Sequence, residues 1–193
     1  DFASFPAKRC IFPFTTTFSQ IPQMKFLVNT LAILTLCVLC HAQSATPAAT
    51  AQTTPEETAM SMQKTYQFLK SAGHYYLATV DQDQPHVRPF GTALIFEDKL
   101  YIQTGRRKNV AKQLVANGKC EICAMRGDEW IRISGILVDD NRREPKAAML
   151  DAHPSLKSMY SADDDNTMVL YFQPGTVTAT IWSFTHDPIV MKF

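Results

Sequence analysis

The feature that most constrains this chain is a succession of short β-branched and aromatic runs, separated by tight turn signals, from Tyr75 to Phe184. Tyr75 to Val80 meets the polar turn Asp81-Gln82-Asp83-Gln84, and Pro85 to Phe96 resumes the extended pattern, which predicts a hairpin. Leu100 to Thr104 is a third strand after the turn Glu97-Asp98-Lys99. Cys120 to Arg126 and Glu129 to Val138 flank Gly127-Asp128 as a second hairpin. Met168 to Gln173 and Val177 to Phe184 flank Pro174-Gly175 as a third. Helical spacing is confined to about Ala59 to Ala72, which ends at Gly73, to Arg107 to Asn117 and to Arg142 to Ala152, with one further turn over Pro154 to Met159. Antiparallel neighbours without βαβ alternation exclude a doubly wound sheet. They predict a mainly β domain, an antiparallel barrel of about six to seven strands with short flanking helices.

The front of the chain reads differently. Met24-Lys25 precedes an apolar run from Phe26 to Cys40, and Cys40-His41-Ala42 offers a small-residue exit, the pattern of a secretory signal peptide over residues 24–42. The run is too short for a comfortable membrane span. Leu39 before Cys40 departs from the small residue that a lipid-modified cysteine requires. Residues 1–23 show no periodicity and read as upstream or unstructured sequence. Residues 43–58, rich in Ala, Thr, Pro and Gln, read as a flexible linker, because such a composition buries too little apolar surface to offset chain entropy. The folded domain is expected over 59–193, exported to the periplasm or the exterior, with no membrane span after cleavage.

Removing residues 1–42 takes Lys8, Arg9 and Lys25 against Asp1, which turns 19 basic and 18 acidic residues into 16 and 17. A near-neutral domain carries no general nucleic-acid footprint. The same cut leaves two of the five cysteines, Cys120 and Cys123, too few for a disulfide framework.

The chemistry-bearing stretch is Tyr101 to Val110, where a strand ends in Thr104-Gly105, Arg106-Arg107-Lys108 follows and a helix begins. Cations at a helix N-terminus oppose the helix dipole unless an anion sits there. Unpaired amides, the Thr104 hydroxyl, the Asn109 amide and Arg107 or Lys108 together suit a phosphate dianion around Gly105 to Asn109. On the second strand, alternation sets His86 and Arg88 on one face and Val87 and Pro89 on the other. Pro89 lacks the amide that a central ladder would need, which implies an edge or a bulge.

The run from Tyr76 to Ser134, with Leu77-Ala78-Thr79-Val80, Pro85-His86-Val87-Arg88-Pro89, Tyr101 to Lys108 and Trp130-Ile131-Arg132-Ile133-Ser134-Gly135, resembles the pyridoxamine 5'-phosphate oxidase-like superfamily. More narrowly it is similar to single-domain members with an FMN-binding split barrel, a group that includes nitroimidazole-resistance-type proteins. The resemblance implies a homodimeric split barrel with FMN in the dimer clefts and flavin hydride chemistry on a small-molecule substrate. It places Arg88, with Pro89 beside it, at the flavin ring or ribityl region, and Thr104 and Lys108 at the phosphate, supported by Arg107 and Asn109. Trp130 and Arg132 match the strand beside the cofactor, and Trp182 could reach across the dimer. The Arg-x-His-type substrate motif of the true pyridoxamine-phosphate oxidases has no counterpart around Ser183-Phe184-Thr185-His186, so oxidation of pyridoxamine phosphate is not expected. A non-catalytic flavin or haem-type carrier on the same barrel is the rival reading.

Cys120 and Cys123 on one strand point to opposite faces, and no second ligand pair follows, so no metal site is expected. Asp163-Asp164-Asp165-Asn166 lacks the spacing of a calcium loop and reads as a solvated turn. His74, His86, His153 and His186 are too scattered to nominate a catalytic base, and no catalytic residue is assigned.

Overall fold

The structure is a computed structural model and describes residues 53–193. The upstream stretch expected over 1–23, the signal peptide expected over 24–42 and most of the linker expected over 43–58 lie outside the described residues. Among the described residues no helix is long and apolar enough to cross a membrane.

Helix α1 spans Pro55–Ala72, a turn earlier than its apolar spacing predicts. A capping box sets that start: the Thr54 hydroxyl accepts from the Glu57 amide at 3.2 Å, and the Glu57 carboxylate accepts from the Thr54 amide at 2.8 Å. Pro55 at the first helical position needs no amide partner. The strands are β1 (Tyr75–Asp81), β2 (Gln84–Phe90), β3 (Leu94–Phe96), β4 (Lys99–Gly105), β5 (Lys119–Arg126), β6 (Glu129–Asp140), β7 (Thr167–Phe172), β8 (Thr178–Ser183) and β9 (Ile189–Lys192). Helix α2 (Asn109–Ala116) lies between β4 and β5. Helix α3 (Arg143–Ala152) and a 3-10 turn at Pro154–Ser158 lie between β6 and β7.

The sheet is antiparallel throughout and has 9 strands, more than expected. The extra ones arise because Gly91 to Ala93 break the run Pro85 to Phe96 into β2 and β3, and because Ile189–Lys192 pairs with β8. The path runs β2-β1-β5-β6-β7-β4-β3, with β8 and β9 branching from β6, so the barrel is split and not closed.

The long strand β6 is the hinge of this architecture. One edge pairs with β5, as the Gly127-Asp128 hairpin predicts. On the other edge Glu129 to Ser134 pair with β8, and Leu137 to Asp140 with β7. Between them the Ile136 amide donates to the Thr176 hydroxyl at 3.2 Å, and the Ile136 carbonyl accepts from the Gln173 amide at 2.8 Å. Thus β7 and β8 do not pair with each other, and the hairpin predicted at Pro174-Gly175 is instead a bulge in one continuous run along β6. Gly135 sits at the bend: a Cβ there would lie 2.9 Å from the Phe172 ring.

The inner face of the β2-β1-β5-β6-β8-β9 branch buries Tyr75, Leu77, Ile122, Ile131, Ile133 and Ile181 against Leu100 and Ile102 of β4. Phe68 and Leu69 of α1 and Val110 and Leu114 of α2 complete this core, each side chain contributing roughly 1.5–3 kcal/mol by burial. The far face of β4 and β7 packs Tyr101 and Val169 under Met149 of α3.

Candidate functional site

The site is built from the β1–β2 hairpin and the start of α2. β2 pairs only with β1, so it is the edge strand that Pro89 implies. In this register Arg88 opposes Leu77, whose side chain is in the core, while Pro89 opposes Tyr76 on the outer face. Arg88 therefore leans over the barrel rim toward α2. Its Nη1 donates to Thr79 Oγ1 at 2.6 Å and its Nη2 to Gln113 Oε1 at 2.9 Å. The Thr79 hydroxyl in turn donates to Gln113 Oε1 at 2.7 Å. Neither acceptor is charged.

This sets Arg88 apart. Among the described residues Arg106 pairs with Asp139, Arg107 with Asp165, Arg126 with Glu129, Arg132 with Glu121, Arg142 with Asp140 and Glu97, and Arg143 with Asp163. Arg88 is half-buried with no carboxylate in ion-pair range, and burial draws its guanidinium below the ordinary value. Half-burying a cation without a counter-ion is unfavourable, and an anion from outside the chain removes that cost.

The start of α2 shows the same deficit. The helix begins at Asn109, not at Arg107, because Gly105 to Lys108 form a turn closed by the Lys108 amide on the Gly105 carbonyl at 3.0 Å. Lys108 is the N-cap, no side chain caps the first amides, and the first turn holds no acidic residue. Uncapped amides and a cation at a helix start suit an anion. Asn109 lies one turn before Gln113, on the same helix face, one turn from the residue that holds Arg88. Thr104 is buried at the end of β4.

Arg107 is engaged within the chain. Its side chain is exposed and paired with Asp165 at 3.0 Å, and its amide donates to Asn166 Oδ1. The acidic stretch read as a solvated turn thus holds the loop ahead of α2. Asp164 organises it: burial pushes its carboxyl up, but the Thr167, Ser161 and Asn166 amides outweigh burial and bring it down to about 2.

Trp130, Arg132 and Trp182 fall on the other face of the sheet. Pro89, Tyr76, Cys123, Arg132 and Thr180 form one cross-strand row there, and Trp130 sits opposite Trp182 in the next. The two indoles stack at 6.3 Å and 10°, with Phe184 5.2 Å from Trp130. The sequence candidates therefore form two groups on opposite faces, one at Arg88 and α2 and one at the tryptophans. Thr79 and Gln113 were not anticipated from sequence. The available signals were a glutamine amid the apolar face Val110, Ala111 and Leu114, and a threonine two residues from Arg88's hairpin partner.

Fold and site together define a split-barrel protein with an arginine free of carboxylate partners at its rim. The family model described as pyridoxamine 5'-phosphate oxidase matches residues 62–180, and the chain belongs to that family. A NimC/NimA family protein from Clostridium acetobutylicum is 42% identical, with a TM-score of 0.68, over 70% of this chain and 94% of that one. General Stress Protein 26 from Bacillus anthracis shares the fold at 19% identity and a TM-score of 0.54, over 70% of this chain and 98% of its own. A haem-binding protein from Mycobacterium smegmatis does so at 13% and 0.53, over 72% of this chain and 59% of its own. No curated protein matches.

Proposed function

We propose that this chain is an FMN-dependent oxidoreductase acting on a small substrate, with the FMN phosphate held by Arg88, Lys108, Asn109 and the first amides of α2. The observation that carries this reading is Arg88, the one arginine among the described residues without a carboxylate, beside an uncapped helix start. Thr104 and Arg107 support the phosphate loop from behind. The flavin supplies hydride chemistry, and the protein supplies orientation and charge.

The second candidate group argues for a homodimer. Within one chain Trp130, Arg132 and Trp182 cannot meet Arg88 across the sheet. On this reading a second copy packs against the outer face, where Trp182 lies. That face suits an interface, since Tyr76, Val87, Met125 and Val190 are 56–65% exposed and Trp182 adds an indole.

The test is the visible spectrum of the purified protein and its titration with FMN. Flavin bands and saturable binding, followed by turnover of an oxidant such as a nitroaromatic after photoreduction, are expected. A protein that binds no FMN refutes the proposal. The mycobacterial neighbour's haem motivates a carrier as second reading, which predicts a Soret band on haem addition and no turnover.

A further inference from the structure

We infer that Gln113 is a positioning residue that makes the rim selective for a phosphate dianion, by holding Arg88 in place without neutralising it. This deepens the phosphate reading above and rests on it. Gln113 is 6% exposed, on the otherwise apolar buried face of α2. A glutamine so placed needs its polar atoms satisfied, and three groups satisfy it. Oε1 accepts from Arg88 Nη2 at 2.9 Å and from Thr79 Oγ1 at 2.7 Å, and Nε2 lies 3.5 Å from Asp81 Oδ2. This division fixes the amide: an oxygen faces the guanidinium and the hydroxyl, and a nitrogen faces the carboxylate.

Two consequences follow for Arg88. Its fork is fixed at both tips, Nη1 on Thr79 and Nη2 on Gln113, while three of its five N–H donors remain for a ligand. The acceptors are dipoles, so the positive charge persists. A glutamate in place of Gln113 would reach the same atoms but form a charge-assisted pair with Arg88, and an incoming phosphate would then compete with a resident carboxylate. The amide also stands between Arg88 and Asp81, presenting N–H groups to that carboxylate and an oxygen to the guanidinium.

The prediction is a loss of phosphate preference that follows the charge placed at position 113. The full chain, Gln113→Glu and Gln113→Met are compared by flavin-fluorescence quenching with FMN and with riboflavin, which lacks the phosphate. At about pH 8, Gln113→Glu is expected to bind FMN about tenfold more weakly or worse, with riboflavin affinity unchanged. The pair with Arg88 keeps that glutamate ionised through the neutral and mildly acidic range, so the loss persists there. Gln113→Met, which adds no charge, lowers the FMN preference by only a few fold. A wild-type ratio of FMN to riboflavin affinity in Gln113→Glu at pH 8, or a loss in Gln113→Met as large as in Gln113→Glu, overturns the inference. A wild type that does not distinguish FMN from riboflavin overturns the phosphate reading itself. If Gln113→Glu does not fold, His86→Glu supplies the carboxylate on Arg88's side of β2, opposite Thr79, and must give the same loss for FMN and none for riboflavin.

Discussion

Replacing Arg88 by methionine tests the site directly. Methionine keeps much of the aliphatic stem and removes the guanidinium. The fold loses two hydrogen bonds, at 2.6 and 2.9 Å, both to neutral acceptors that remain bonded to each other through the Thr79 hydroxyl on Gln113 Oε1. The stability cost is therefore small, about 1 kcal/mol, and is offset in part because a half-buried uncompensated charge disappears. Binding suffers more. A charge-assisted bond to phosphate contributes about 1.5–3 kcal/mol, which is roughly a 10- to 150-fold rise in the FMN dissociation constant. Riboflavin carries no phosphate and should bind the variant as it binds wild type. Fluorescence titration with both flavins, alongside thermal melts, separates the outcomes. An unchanged FMN affinity, or an equal loss for both flavins in a folded variant, refutes the assignment of Arg88 to the phosphate.

Further outcomes are expected elsewhere. Gly118→Ala places a Cβ 2.6 Å from the Leu137 carbonyl oxygen, at the edge where the Leu137 amide bonds Gly118; it should lower stability by about 1–3 kcal/mol, read as a lower urea midpoint. Thr54→Ala removes one half of the capping box and should cost about 1 kcal/mol, seen as faster amide exchange in the first turn of α1. Asp140 is held down to about 2 by its bonds with Arg142, against burial and with help from Tyr101. Its stabilisation is present above the unfolded carboxyl range and is lost as pH falls from about 4 through 2. The loss is at most about 2 kcal/mol because Arg142 is half-exposed and screened. Asp140→Asn should flatten that part of the acid-unfolding profile.

The local pairings were legible because their determinants are local. Gly127-Asp128 between two apolar runs specifies β5–β6, and the turn at Asp81 to Gln84 specifies β1–β2. The fate of β7 and β8 was not, because strand, turn and strand look alike whether the chain folds back or continues past a bulge. The deciding partner is the far edge of β6, and the one clue was Gly135, where Phe172 needs room. The start of α1 was missed because composition outweighed Thr54-x-x-Glu57. The candidate site shows the same limit. Arg106, Arg107 and Lys108 look equally available in sequence, yet Asp139 and Asp165 arrive from 33 and 58 residues away to occupy the first two. Arg88, which the alternation of β2 sets on one face with His86, is left without a counter-charge.

The position of β7 also governs the order in which the molecule can be made. β7 lies between β6 and β4, yet Gly105 is synthesised 62 residues before its partner Thr167. Until Thr167 to Phe172 leave the ribosome, β4 has only the three-residue β3 beside it, and Leu137 to Asp140 at the end of β6 present an unpaired edge. Assembly therefore waits for the last strands and then proceeds as one cooperative event, dominated by distant contacts. A nascent chain ending at Asp140 would hold the β1–β2 and β5–β6 hairpins without a barrel, a state that a chaperone would meet as incompletely folded protein.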